Sequence, residues 1–220
     1  MVSKSNNKLT TNIIFNVMKT ITLTALIMIS INAFSQEMGT FTDPRDGKVY
    51  KTVKIGDREW FAENLAYKIE GESWAYNNSK KNVKKYGYLY NFKGAQEGCP
   101  TGWHLATVDD WKSLERIIGI NEVQQAKWES RKNKPAISFR LRSTEGWPKG
   151  LNGTNEMGFN MLPSGESGAE CCFDSMGEHA YFWVDYPQGQ WIFYDDGTIA
   201  AYDTASQYSG RSVRCVKNPE

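Results

Sequence analysis

The side chains of this chain that could do chemistry are four cysteines, two histidines and a run of acids in a glycine-rich stretch near residue 170. A general acid and base of the kind that hydrolyses a glycosidic bond could be drawn from Glu166, Glu170, Asp174 and Glu178. Nothing in the sequence fixes their separation, and loop acids are usually solvated charge, so no catalytic residue is assigned. His104 could act as a general base, but its place between Trp103 and Leu105 at a helix start favours a hydrogen-bonded structural histidine. Neither His104 nor His179 has ligand spacing to the cysteines, so no metal and no cofactor is expected. Asp43 and Asp46 could hold a cation, although a turn with side-chain caps accounts for both. Eight tryptophans, eleven tyrosines and ten phenylalanines suit either core filling or a surface that stacks on sugar rings. The candidates for such a platform are Trp147, Tyr181 and Trp191, with Glu166 as a polar partner.

In an exported chain the four cysteines point to bridges, with three possible pairings. Joining Cys99 to Cys215 closes a loop of over a hundred residues and ties the main helix to the last strand, worth on the order of 4 kcal/mol in the chain-entropy model. Cys171 and Cys172 are then left to form a vicinal bridge, stay reduced or bind metal.

Export is read from residues 1–35. Lys19 precedes an apolar run over residues 21–31, too short for a transmembrane helix and the right length for a signal-peptide core. Ala33 and Ser35 are small residues at the two positions a signal peptidase reads, which predicts cleavage before Gln36. Met18 offers a second start for that leader, so residues 1–17 are either translated or an upstream start-codon artefact. No cysteine lies near the cleavage point to take a lipid. Residues 36–220 then read as a single domain, with a core from about 40 to 217 and no transmembrane span. Losing the three leader lysines leaves 23 basic against 25 acidic residues. That balance gives no footprint for nucleic acid, and leaves a glycan or another surface protein as partner.

The segment from Cys99 to Trp111 must position whatever site exists. Thr107 and Asp110 form a capping box, Trp111, Leu114 and Ile118 one apolar stripe, and Gly119 a left-handed stop, so the main helix runs from Val108 to Ile118. Asn121 caps a short second helix reaching about Trp128. Residues 49–55 alternate as a strand with Val53 and Ile55 buried, and Gly56-Asp57 is a two-residue type II′ hairpin loop onto residues 58–62. Residues 67–85 read as a long surface excursion, 86–91 as a short aromatic strand, and 131–135 as an exposed basic loop. Residues 137–143 are ambiguous between helix and strand, 147–158 irregular, 158–163 strand into loop, and 164–178 loop. Residues 181–185, 191–194, 199–202 and 212–217 form a C-terminal meander closed by the last strand. Asp195-Asp196-Gly197-Thr198 is the hairpin between the second and third.

Several blocks carry a resemblance: Asp46-Gly47, Val53-Lys54-Ile55-Gly56, Trp60-Phe61-Ala62-Glu63-Asn64-Leu65, Tyr86-Gly87-Tyr88-Leu89-Tyr90, Cys99-Pro100-Thr101-Gly102-Trp103-His104-Leu105, Asp110-Trp111, Gly158-Phe159, Phe182-Trp183 and Ser212-Val213-Arg214-Cys215-Val216. In kind and order they resemble the Fibrobacter succinogenes major paralogous domain. The resemblance implies a secreted or surface domain of Bacteroidetes and Fibrobacteres, related to the C-type lectin-like fold. It implies an α+β, single C-type lectin-like domain: one main helix and a second short helix packed with small antiparallel sheets, with large irregular loop content. A cysteine before the first long helix pairs in that fold with one in the final strand, the places of Cys99 and Cys215. Ala106 stands where the family usually has proline. The Glu-Pro-Asn, Gln-Pro-Asp and Trp-Asn-Asp motifs of calcium-dependent sugar binding are missing. The helix motif also resembles formylglycine-generating enzymes, whose two reactive cysteines adjacent Cys171 and Cys172 do not reproduce. The expected function is a secreted or cell-surface, non-catalytic binding or adhesion module for a glycan or envelope component. The alternatives are an enzyme of formylglycine-generating or hydrolase type and a purely structural surface protein.

Overall fold

A computed structural model describes residues 36–131, 136–169, 172–187 and 189–219. The leader over residues 1–35, most of the expected basic loop, Glu170 and Cys171 lie outside them. In chain order the described elements are β1 (Glu37–Thr42), β2 (Val49–Ile55), β3 (Arg58–Phe61), β4 (Ser73–Trp74), α1 (Lys80–Tyr86), β5 (Leu89–Tyr90), α2 (Phe92–Gly98) and β6 (Trp103–Leu105). There follow α3 (Val108–Ile118), α4 (Glu122–Gln125), β7 (Ser130–Arg131), α5 (Ala136–Phe139), β8 (Ser164–Ser167), β9 (Phe173–Met176), β10 (Ala180–Trp183), β11 (Gln190–Phe193), β12 (Ile199–Tyr202) and β13 (Cys215–Lys217). The class is α+β, with strands in small sheets that are antiparallel except where β8 meets β10.

The main helix forms where its residues dictate. The Thr107 hydroxyl accepts from the Asp110 backbone N–H, the Asp110 carboxylate accepts from the Thr107 N–H, and Gly119 ends α3 at φ 104°, a conformation L side chains avoid. Trp111, Leu114 and Ile118 are buried as the stripe requires. Asn121 and Gln124 make the same reciprocal cap on α4, but that helix stops at Gln125, one turn short of Trp128. Two further helices were not legible, α1, a lysine-rich turn with no apolar stripe, and α2, which carries two glycines, while α5 resolves part of the ambiguous 137–143 stretch as helix.

The first sheet has the order β1-β2-β3-β13-β6. Ile55 pairs with Arg58, leaving Gly56-Asp57 as the hairpin loop with Gly56 at φ 64°. Within β2 the expected alternation holds at Val53 and Ile55 but not at Val49, which is 54% exposed. Tyr50 and Thr52 on the opposite face are also buried, because a second core covers that side. One apolar cluster gathers Val53, Trp60, Trp111, Phe159, Phe182 and Trp191. The other gathers Tyr50, Phe61, Leu65, Tyr90, Trp103, Trp183 and Val213.

The second sheet has the order β7-β12-β11-β10-β8-β9. The meander β10-β11-β12 is present, with Tyr194 and Thr198 bracketing the expected hairpin turn. Its closure is a correction: β13 does not complete the meander but inserts into the first sheet between β3 and β6. Alternation along 213–216 explains this. Val213 and Cys215 serve one cluster and Val216 the other, a double burial that a sheet edge cannot offer. The stretch 164–178, expected as loop, is the hairpin β8–β9, and Arg131, expected in a loop, pairs with Ile199. In the expected aromatic strand only Leu89 and Tyr90 pair, with Trp74 and Ser73. Residues 158–163 contribute an isolated bridge at Met161 rather than a strand.

Cys99 and Cys215 are bridged, 5.8 Å between Cα atoms across a sequence separation of 116. The bridge fixes the end of α2 to the start of β13 beside Trp103 and Leu105.

Candidate functional site

The four residues proposed for stacking do not share a surface. Trp191 points to the inner face of β11, fully buried and parallel to Trp111 with ring centroids 6.2 Å apart. Its indole N–H donates to Glu115 at 2.8 Å. Trp147 is 5% exposed, donates to the Met161 carbonyl and lies under the Arg142 guanidinium at 4.0 Å. Both indoles belong to the core, which corrects their candidacy. Tyr181 and Glu166 do lie near each other, since Ala180 pairs with Gly165. Glu166 is committed to an ion pair with buried Arg211 at 2.9 Å, and Arg211 also donates to Gln190. Burial pushes the Glu166 carboxyl up from its ordinary value, opposed by Arg211 and aided by Asp174. Asp174 is its register partner across β8–β9, while Glu178 is exposed in a turn. Among the described acids, Glu166 is held in an ion pair while Asp174 and Glu178 are exposed.

His104 is engaged at both ring nitrogens. Nδ1 meets Asn218 Oδ1 at 2.8 Å and Nε2 meets Asp110 Oδ2 at 3.0 Å, while Arg58 reaches the other Asp110 oxygen at 3.1 Å. The hydrogen bond to Asp110 raises the His104 pKa above 6.5 despite burial. Burial works to raise Asp110, but bonds from His104 and Thr107 outweigh it and hold the carboxyl below 3.8. A base whose folded pKa is raised stabilises fully below its unfolded value and loses that contribution as pH climbs through the folded one. The Asp110 contribution is present above pH 3.8 and fades as pH falls through its lower folded value. The melting temperature should therefore decline as pH rises above 6.5 through the raised folded value, and His104→Ala should flatten that decline. Parallel wild-type and variant profiles across this range would remove the histidine from the account.

Asp43 accepts from the Arg45 backbone and side chain at 2.7 to 3.2 Å, and Asp46 accepts from the Lys48 backbone N–H. Both acids therefore cap a turn, and Arg45 extends from it to the Gly98 carbonyl and over the Tyr67 ring. Among the described residues no group of three or more His, Cys, Asp or Glu could hold a metal ion.

A different surface has the chemistry of a binding site. Trp74, Asn78, Ser167, Phe173 and Tyr208 line an open cleft of about 240 Å³ with Gly168 and Ala169. Trp74 is held by pairing with Leu89. Asn77 and Asn78 turn the chain at φ 52° and 54°, which asparagine tolerates better than most residues. Tyr76 packs on Phe173 at 5.0 Å and sets the base of β9. Gly210 exchanges two backbone hydrogen bonds with Ser167, and a Cβ there would lie 2.3 Å from the serine Oγ. This close approach places the 203–210 loop over β8 and leaves Tyr208 64% exposed. Among the described residues the lining carries no charge. Aromatic rings that offer apolar faces, beside an amide and a hydroxyl, fit a ligand with C–H faces and neutral hydroxyls. Sequence reading missed this set because its members are scattered from residue 74 to 208, and only the folded chain joins them.

The family model described as Fibrobacter succinogenes major domain matches residues 53–217, and the chain belongs to that family. No curated protein and no solved structure matches it.

Proposed function

We propose that this member of the Fibrobacter succinogenes major domain family is a non-catalytic binding or adhesion module acting outside the cytoplasm. In this proposal its architecture is C-type lectin-like and its ligand an uncharged glycan held in the Trp74–Phe173–Tyr208 cleft. The cleft is the observation that carries the proposal: three aromatic residues, of which Tyr208 brings a hydroxyl, with Asn78 and Ser167 around an open space of about 240 Å³. The Cys99–Cys215 bridge supports an oxidising compartment, as does the signal-peptide pattern of residues 1–35. Among the described residues no helix is long and apolar enough to cross a membrane. The lectin-like architecture is supported by a bridge from Cys99, in the segment leading to the main helix, to a final strand lying within the first sheet. Binding is independent of calcium, because the carboxylate motifs that recruit it are missing.

A glycan array should show binding to neutral oligosaccharides, unchanged by a calcium chelator, with a Kd between about 10 μM and 1 mM. Loss of binding in chelator would move the ligand to a metal site, and silence across the neutral set would end the proposal.

A further inference from the structure

Arg214 is 1% exposed, yet among the described residues no carboxylate pairs with it. Its Nε donates to Asn64 Oδ1, and Nη1 to the carbonyls of Phe61 and Phe159, each at 2.8 Å. Nη2 donates only to the Asn160 carbonyl, at 3.3 Å. A guanidinium has five N–H groups, so one Nη2 proton is left without an acceptor among the described residues. Arg214 lines a cavity of about 60 Å³. Lys48, Lys84 and Lys85 line the same cavity, against one acid, Glu63. Lys85 is shared with exposed Glu145 at 3.1 Å, whereas Lys48 and Lys84 pair with no carboxylate among the described residues. Buried cations are costly unless paired, and this one keeps a spare donor in a residue that lines a space shared with three lysines. One water needs about 10–15 Å³ of such space. The cavity therefore holds roughly four or five heavy atoms, the size of a phosphate, sulfate or carboxylate group.

We infer that this cavity binds a small oxyanion between the Arg214 guanidinium and the ammonium groups of Lys48 and Lys84. The ion is either free or the acidic substituent of a saccharide. The site shares no residue with the aromatic cleft and does not depend on it.

The test is a thermal-shift and calorimetric titration with inorganic phosphate against sodium chloride of equal ionic strength, in wild type and in Lys48→Gln/Lys84→Gln. Glucose 6-phosphate and glucose form the second arm. With a Kd near 1 mM, 10 mM phosphate should raise the wild-type melting temperature by about 3–5 °C. The double variant should melt normally in chloride and bind phosphate at least fivefold more weakly. Tighter binding of glucose 6-phosphate than of phosphate, with glucose inert, assigns the site to the acidic group of a saccharide; equal or weaker binding assigns it to the free ion. Equal melting temperatures in phosphate and chloride, or an undiminished shift in the double variant, would overturn the inference.

Discussion

Replacing both Cys99 and Cys215 by alanine should lower the melting temperature by about 10–15 °C. The bridge spans 116 residues, and closing a loop of that size removes enough freedom from the unfolded chain to stabilise the fold by about 4–5 kcal/mol in the chain-entropy model. For a domain of this size each kcal/mol corresponds to about 2–4 °C. The folded state adds to the effect. Cys215 is fully buried, opposite Leu105 in the ladder and within the cluster of Phe61, Trp103 and Val213. The double variant is a cleaner probe than reductant, which would also reach the remaining cysteines. Thermal denaturation followed by near-ultraviolet circular dichroism reads the change, since Trp103 and Trp183 are buried in the same cluster as Cys215. A loss under about 3 °C would mean that packing alone holds β13 in the first sheet.

Arg214→Ala should cost on the order of 4 kcal/mol, comparable to breaking a buried charged network elsewhere. The side chain crosses from β13 to the end of β3 at Phe61, to Asn64 and to the 159–160 turn. It also lies 4.3 Å from the Phe159 ring centroid. Its removal leaves four oxygens without their donor and opens a void beside Phe159 and Phe182. Burial pushes the Arg214 pKa down to about 9, so it stays charged at neutral pH and its hydrogen bonds are charge-assisted. Arg214→Lys keeps the charge but loses the planar fork that reaches several acceptors at once, and should fall between wild type and alanine. Chemical denaturation gives that ranking directly. If lysine matched arginine, charge rather than the fork geometry would be what the site requires. Against a total stability of about 5–15 kcal/mol, either substitution removes a large share, so both are measured in the presence of osmolyte if needed.

Local chemistry made parts of the fold legible. The reciprocal cap at Thr107–Asp110, the Asn121 cap, the glycine stop at 119 and the turns at Gly56-Asp57 and Asp195–Thr198 are specified by neighbouring residues, and all formed as expected. The disulfide was legible because its cysteines flank the main helix and the last strand. Which sheet takes β13 was not, because it depends on pairing Cys215 with Leu105 across more than a hundred residues. The hairpin β8–β9 was hidden by glycines, one of which is needed there: Gly165 sits at φ 65° with the Asp174 carbonyl 2.3 Å from where a Cβ would be. The aromatic excess was visible, but not its division. Trp191 alternates inward with Phe193, while Trp74, Phe173 and Tyr208 become neighbours only after three distant segments meet. The expectations that fall on residues 1–35 and on Cys171 lie outside the described residues.

Neutral-sugar binding in the aromatic cleft is tested most directly by calorimetry of wild type and Tyr208→Ala with the best oligosaccharide from the array. Tyr208 is exposed and belongs to neither apolar cluster of the described residues, so the variant should melt as wild type does. The expected result is saturable wild-type binding that weakens about tenfold in Tyr208→Ala, the loss of one stacking face. Binding of equal strength in both proteins, at unchanged melting temperature, would contradict a ligand site at Trp74, Phe173 and Tyr208.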